Sequence, residues 1–190
     1  MSDDSFVSGS LDKTLCIWRA STGDCLHVLR GHTHSVRSVC LLEDGRIASG
    51  GGDRTIRTWN VSTGKCVKVI SSGHTSYIQG LIELSDGRLM SCSWDMTCKL
   101  FDIESGACLE TIGAGVKIYC VSELSEKEVI VGGADGLVRL IDMSVRPARV
   151  MDVFKEGQKP TNSVWSICRM TRNLIVVSDE DGNLHTLTKS

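Results

Sequence analysis

No apolar run approaches the roughly 18 residues that a membrane-spanning helix requires, and no block of lysine or arginine stands out. Twenty-one basic residues against 23 acidic ones leave a formal net charge of -2 over 190 residues. That balance lacks the electrostatic footprint which nucleic-acid or anionic-membrane binding leaves, so neither is expected as a partner. A secretory signal would open basic and then turn apolar, whereas Met1-Ser2-Asp3-Asp4-Ser5 is acidic. The expected setting is therefore cytoplasmic or nuclear, not secreted, with reduced thiols. The nine cysteines contain no CxxC pair. An odd number without an export signal argues against a disulfide framework, and zinc would need clustered ligands at characteristic spacings. No metal and no cofactor are expected.

What is present is a period. The segments SLDKT, GGDRT, SWDMT, GADGL and DEDGN place Asp12, Asp53, Asp95, Asp135 and Asp181 at intervals of 41, 42, 40 and 46 residues. A spacing this regular marks a repeat architecture. About six residues after each aspartate stands a large apolar side chain, Trp18, Trp59, Phe101, Ile141 or Leu187, and the stretch between alternates apolar and polar as a half-buried strand does. Cys25, Cys66 and Cys108 recur in the matching contexts GDCL, GKCV and GACL, and Cys40 and Cys168 share one register. These cysteines are expected to pack as small apolar side chains on strands.

The second repeat shows the unit most clearly. Glu43-Asp44-Gly45, Gly50-Gly51-Gly52-Asp53 and Ser62-Thr63-Gly64 supply three turns, which separate four runs near 36 to 42, 46 to 50, 55 to 59 and 66 to 70. Those runs are rich in Val, Ile, Thr and Trp, as pleated half-buried surfaces prefer. The strands are labelled a, b, c and d. A four-stranded sheet of about 40 residues cannot cover both of its faces alone, so successive sheets must stack. Gly31-His32 and Gly73-His74 before strand a, the turn aspartates, and Trp59-Asn60 or Phe101-Asp102 closing strand c together resemble WD40 repeats. The resemblance runs over nearly the whole chain and thins after the third repeat. There Gly113-Ala114 replaces Gly-His, and Ile141-Asp142 and Leu187-Thr188 replace Trp-Asp.

The resemblance implies an all-β, WD40-type β-propeller region over 1–190, with repeats near 1–30, 31–72, 73–112, 113–153 and 154–190. About three blades are complete and four-stranded, and two are partial. Because the chain opens in a strand b and stops after a strand c, a fragment of a larger propeller is expected, self-associating through open blade edges. The resemblance also implies a hydrogen-bonded chain inside the blade, His32, Ser49, Asp53 and Trp59, with His74 and Asp95 in the next repeat. A Ser-His-Asp set also invites a hydrolytic reading, but here it recurs as a structural pattern. The Asp179–Asn183 segment mismatches a calcium loop, with Leu184 and Ser190 where glycine and glutamate belong, and reads as an ordinary turn. His27, His34 and His185 lack companions at ligand spacing.

Partners of the family commonly bind one rim, through the residue before each turn aspartate and the start of strand a. In register these are Leu11, Gly52, Trp94, Ala134 and Glu180, then Arg37, Gln79, Tyr119 and Trp165, with Ser35, Tyr77, Lys117 and Ser163 two residues earlier. Aromatic residues are scarce, nine in all. Three fill the strand-c position, and Tyr77, Trp94, Tyr119 and Trp165 fall on this rim, a binding-site signature. The competing reading folds them inward against neighbouring blades. Arg37 has no arginine at the matching positions, so the cluster typical of phospho-motif readers is missing. Aromatic walls suit an apolar anchor or a cation. The expected function is a non-catalytic scaffold that binds proteins or peptides on this rim, through Trp94, Trp165, Tyr119, Tyr77, Gln79 and Arg37. The alternative is a substrate-recognition subunit of a multiprotein enzyme complex such as a ubiquitin ligase.

Overall fold

A computed structural model of the protein describes residues 4–152, 162–171 and 174–188. They form strands and turns, with no helix among them. Sheet 1 holds β1 (Ser5–Gly9), β2 (Thr14–Arg19) and β3 (Cys25–Arg30). Sheet 2 holds β4 (Val36–Leu41), β5 (Ile47–Gly51), β6 (Thr55–Trp59) and β7 (Cys66–Ser71), and sheet 3 holds β8 (Ile78–Glu83), β9 (Leu89–Ser93), β10 (Thr97–Phe101) and β11 (Cys108–Gly113). Sheet 4 comprises β12 (Ile118–Ser125), β13 (Glu128–Gly133), β14 (Val138–Asp142) and β15 (Arg149–Asp152), and sheet 5 comprises β16 (Val164–Arg169), β17 (Leu174–Asp179) and β18 (Leu184–Thr188). Neighbours are antiparallel meanders in sequence order, so each turn has only to reverse the chain.

The sheets stack face to face through their first strands: β4 lies against β8, β8 against β12, and β12 against β16. Four buried clusters serve the five sheets, one at each junction. Trp59 of sheet 2 packs with Leu15, Ile17 and Leu29 of sheet 1. Phe101 packs with Ile56 and Ile70 of sheet 2, Ile141 with Met90 and Leu100 of sheet 3, and Leu187 with Ile130 and Leu140 of sheet 4. The large residue ending strand c thus always plugs the face turned to the preceding sheet. Trp18, in sheet 1, stacks instead on Phe6 with ring centres 6.3 Å apart. Close approach demands glycine on the other side of the junction. A Cβ at Gly50 would sit 2.8 Å from Ile78 Cγ2, and one at Gly132 would sit 2.5 Å from Val164 Cγ1.

Hydrogen bonds thread sheet 2 from its outside to its inside. Trp59 Nε1 donates to Ser49 Oγ at 2.8 Å, Ser49 Oγ lies 2.7 Å from His32 Nε2, and His32 Nδ1 lies 2.7 Å from Asp53 Oδ2. The indole can only donate and the carboxylate only accept. The carboxylate end therefore places an N–H at His32 Nδ1, and the indole end makes Ser49 Oγ an acceptor. The other Asp53 oxygen accepts from Thr55 N and Oγ1 at 3.1 and 2.9 Å. Sheet 3 repeats this with His74, Ser91 and Asp95 at 2.8 Å each, and Phe101 removes the indole end. His32, Ser49 and His74 are buried, so the Ser-His-Asp sets present no nucleophile to a substrate.

The later sheets keep the aspartate but change its partner. Ala114 leaves no imidazole in sheet 4, and Asp135 pairs with Arg139 on β14, Nη2 to Oδ2 at 2.6 Å. In sheet 5 Asp181 keeps the repeat position, followed by left-handed Gly182 as Asp53 is by Arg54, but a second carboxylate takes over the pairing. Asp179, two residues before Asp181, is the buried one and accepts from Asn183 N and His185 Nε2 at 2.9 and 2.8 Å, which holds its carboxyl down at about 2. Arg139 and His185 both stand four residues after the repeat aspartate, so the sheet regains a cationic or imidazole partner from strand c when strand a no longer sends one.

The cysteine expectation also needs correction. Cys25, Cys66 and Cys108 do lie on strands, at the start of each strand d, but all three are exposed. Each pairs with the aromatic residue closing strand c across a bulge, which turns its thiol outward. Burial raises the thiols of Cys40, Cys92 and Cys120, the last to about 12, so none of these is an activated nucleophile.

Three measurements test this account. The residue after each repeat aspartate is left-handed: Lys13 has φ 76°, Arg54 63° and Met96 69°, where sheets 4 and 5 use Gly136 and Gly182. Arg54→Gly should raise stability by about 0.5–1 kcal/mol by relieving that strain, and Gly136→Ala should lower it by a similar amount. Unchanged urea midpoints would reject both. Asp53→Ala and His32→Ala should each cost about 1–3 kcal/mol, because each orphans buried polar partners; melts equal to those of the exposed control Glu43→Gln would remove the hydrogen-bonded chain from the account. The third test is pH. Burial lowers the His74 pKa, outweighing Asp95, which works to raise it. An unfolded histidine takes up its proton near pH 6.5 or about there, so the unfolded state gains protons first and stability falls as pH drops through that region. For Asp53 and Asp95 burial acts to raise the pKa, but hydrogen bonds from histidine, threonine hydroxyl and backbone groups prevail and lower it; a second loss follows below about pH 4. His74→Gln should flatten the melting curve between about pH 7 and 5 and leave the acid limb in place.

Candidate functional site

Strand a begins with the same irregularity in four sheets. Val36 pairs with Gly51 and Ser38 with Gly50, which leaves Arg37 without a cross-strand partner. The shift recurs at Gln79, at Tyr119 and at Trp165. These are β-bulges, which kink a strand and re-aim the extra side chain. The four residues that the repeat register places at the rim are therefore the four bulged ones.

A backbone bond ties the second set of rim positions to the first. Gly52 N–H donates to Ser35 O at 2.8 Å, Trp94 N–H to Tyr77 O at 3.1 Å, Ala134 N–H to Lys117 O at 2.9 Å and Glu180 N–H to Ser163 O at 3.0 Å. The residue before each turn aspartate is thus held against the segment that leads into the bulge. On this frame the rings line up. Ring centres are 5.2 Å apart for His34 and Tyr77, 5.3 Å for Tyr77 and Trp94, 5.7 Å for Trp94 and Tyr119, and 4.8 Å for Tyr119 and Trp165. The pairs range from tilted to edge-on to stacked, geometries that aromatic quadrupoles favour. Five rings on four consecutive sheets form one ladder. The two readings of these aromatics are not exclusive: each ring leans on its neighbours across a junction, and Trp165 is still 46% exposed.

His34 was not among the expected rim positions, and Lys117 was one of them without being singled out as a binding residue. His34 sits over Gly52, where an added Cβ would fall 2.2 Å from its Nδ1. A glycine at the position that holds Trp94 one repeat later is the signal that could have revealed it. Lys117 Nζ stands 5.7 Å from the Trp94 ring centre, and Arg37 places its guanidinium carbon 5.2 Å from the Tyr77 centre and 5.4 Å from that of Trp94. The cation that an aromatic wall attracts is thus already supplied by the chain itself.

Beside the ladder lies a groove of about 340 Å³ lined by Gly9, Leu11, Val36, Arg37, Gln79, Tyr119 and Trp165. Arg37 is its one charged wall. Two donors nearby have no hydrogen-bond partner although they are buried, Gln79 Nε2 and Trp94 Nε1. A larger hollow, about 590 Å³, opens on the opposite face among Ser85, Glu123, Leu124, Ser125, Glu126, Lys127 and Arg169. Its origin is a repeated brace. Glu83 accepts from Glu43 N–H at 2.7 Å and Glu123 from Ser85 N–H at 3.1 Å, each joining strand a to the turn of the preceding sheet. Arg169 stands at that register position in sheet 5 and cannot accept, so the brace is missing there. With mixed charge and no ring on its walls, this hollow lacks the anchoring surface that the rim has. Among the described residues no group of three or more potential metal ligands converges.

Comparison with known proteins agrees with this geometry. The family model described as WD domain, G-beta repeat, matches residues 1–19, 23–60 and 64–102. Over 38 residues the chain is 60% identical to the WD repeat-containing protein pop1 of Schizosaccharomyces pombe, a match covering 20% of this chain and 5% of that protein. Over 40 residues it is 58% identical to the nuclear distribution protein PAC1-2 of Uncinocarpus reesii, covering 21% of this chain and 9% of the relative. Among solved structures, the WD40 beta propeller domain of Doa1 matches 100% of the chain with a TM-score of 0.82 and 26% identity, over 62% of its own length. U3-55K matches 98% of it with a TM-score of 0.86 and 21% identity, over 58% of its length, and that likeness bears on the fold alone. The chain therefore spans about three fifths of these solved chains and a small part of the curated relatives. Repeat model, sheet order and superposition coincide: the chain belongs to the WD40 family, and its five sheets are blades of the β-propeller type.

Proposed function

We propose that the chain is a non-catalytic protein-interaction module which captures an extended peptide or loop along its aromatic rim. The observation that carries this reading is the ladder from His34 to Trp165. Rings from four successive blades touch in one line, next to a groove whose walls combine Leu11, Val36, Tyr119 and Trp165 with the polar Gln79 and a single charge, Arg37. WD40 propellers generally bind other proteins, and interface anchors elsewhere are enriched in tryptophan, tyrosine and arginine set in a partly dry surface. An extended segment suits the geometry, because the bulges repeat once per blade and successive side chains of a peptide can meet successive blades. Nothing observed favours a role as a substrate-recognition subunit over a simple scaffold, so that alternative is not carried further.

Trp165→Ala is the cleanest variant, since the half-exposed ring contacts its neighbour Tyr119 and closes no core cluster. It should weaken partner capture by about 2 kcal/mol or more, the usual cost of truncating an interface anchor, with an unchanged melt. Trp94→Ala should cost as much in binding but also loosen the rim, because Tyr77, Tyr119, Arg37 and Lys117 all rest on that ring. Asp44→Ala, on the opposite face, should be silent. A pull-down from cell extract compares the three side by side. Partners kept by both tryptophan variants and lost by Asp44→Ala would overturn the assignment.

A further inference from the structure

We propose that the rim groove recognises an acidic side chain next to an apolar one, the carboxylate of a Glu or Asp seated between Arg37 and Gln79, with its apolar neighbour on Tyr119 and Trp165. This rests on the rim being the partner site and adds the chemistry of what it takes.

Arg37 is the first observation. Other arginines beside carboxylates are neutralised within the fold: Arg46 by Asp44, Arg88 by Asp86 and Arg139 by Asp135. Arg37 has no carboxylate partner among the described residues. Its one hydrogen bond runs from Nε to Ser35 Oγ at 3.3 Å, and the Tyr77 and Trp94 rings hold its guanidinium in place without discharging it. Both terminal nitrogens keep their hydrogens for something else. A guanidinium braced on aromatic faces loses little freedom when it binds, which favours a carboxylate over water as its partner.

The second observation is the surplus of donors. Gln79 Nε2 and Trp94 Nε1 are buried and unpartnered. The Trp59 and Trp18 indoles, by contrast, donate to Ser49 and Ser8 at 2.8 Å, although Arg57 Nε, Thr58 Oγ1 and Arg88 Nη1 are also buried without a partner. An unpaired buried donor costs roughly 1–3 kcal/mol, so a ligand that brings oxygen acceptors gains where one that brings donors does not. The guanidinium and the two N–H groups all ask for the same thing.

The third is what the rim already contains. The cation positions over Trp94 are filled by Arg37 and Lys117, so a basic side chain arriving there meets two like charges. Glu180, the acidic rim residue of blade 5, is not among the groove's lining residues. One guanidinium with neutral donors matches the single charge of a carboxylate; a phosphate, with nearly twice the charge, is better met by several arginines. Leu11, 74% exposed, and the half-exposed Trp165 complete the wall on which an apolar neighbour of the acid would rest.

Three fluorescent octapeptide mixtures provide the test, with the central residue fixed as Glu, Gln or Lys and its neighbours drawn from Leu, Phe, Ala and Ser. A fourth carries phosphoserine at the centre. Anisotropy titrations use the full chain and its Arg37→Gln, Arg37→Glu and Trp165→Ala variants, each checked for an unchanged melt. The Glu mixture should bind about tenfold or more tightly than the Gln, Lys and phosphoserine mixtures. Arg37→Gln should level Glu with Gln, Arg37→Glu should turn the preference toward Lys, and Trp165→Ala should weaken all mixtures alike. Equal binding of Glu and Gln by the wild-type chain, or a preference for Lys or phosphoserine, overturns the inference; if Trp165→Ala still weakens every mixture, the rim remains the partner site. Binding that all three variants leave unaltered overturns both, and absence of binding by every mixture overturns the acidic specificity.

Discussion

A four-stranded sheet has two apolar faces and cannot cover either of them alone, and the rest of this structure follows from that constraint. Each junction is solved in the same way. The residue closing strand c is driven into the preceding sheet, as Trp59 is among Leu15, Ile17 and Leu29. Strand b gives up side-chain volume so that the next strand a can come close, as Gly50 does before Ile78. The hydrogen-bonded run from Trp59 to Asp53 then makes the polar interior compatible with that packing. It ties the plug on strand c to the loop before strand a, so displacing one end breaks bonds at the other.

Stacking by strand a also creates the rim on which a partner is proposed to bind. The bulge at Arg37, Gln79, Tyr119 and Trp165 lies where each first strand enters its sheet, so one local irregularity repeated four times lays four side chains along a single rim. The bonds from Gly52, Trp94, Ala134 and Glu180 fix the neighbouring loops to the same frame. Repetition gives the backbone, and variation at fixed positions gives the chemistry. That division explains how a rigid scaffold carries a site built from dissimilar residues without disturbing its cores.

Much of this was legible because the period is carried by residues with strong local reasons. Turn glycines such as Gly45 and Gly64, the aspartates that cap the b–c turns, and the aromatic ends of strand c locate the strands without any knowledge of packing. The rim positions could be enumerated by register alone. What register could not supply was contact. His34 joins the ladder only because Gly52 leaves room for it, a relation between residues in different loops. Asp179, outside the repeat pattern, becomes the paired carboxylate because Asn183 in the turn and His185 on strand c reach back to it. Cys25, Cys66 and Cys108 looked like core residues by composition, and a bulge at each strand d turned them outward. For the cysteines the cause is a one-residue slip between strands c and d, which changes the face a side chain occupies; for His34 and Asp179 it is a contact between loop or turn residues that no register encodes.

Polar satisfaction is fullest along the histidine- and aspartate-centred chains of the blades. Within the blades, imidazole, hydroxyl and carboxylate meet in chains whose donors and acceptors match, and where the repeat loses a histidine it finds Arg139 or His185 instead. The matching is not complete: Arg57 Nε, Thr58 Oγ1 and Arg88 Nη1 are buried without a partner, and so are two groups on the rim. Gln79 and Trp94 keep unpaired donors, and Arg37 keeps its charge, within a few ångströms of rings that are themselves well packed. What distinguishes the rim is that its unpaired donors lie beside a guanidinium with no carboxylate partner among the described residues. On the proposed reading, that combination, more than the repeat itself, is what a partner bearing acceptor oxygens would meet.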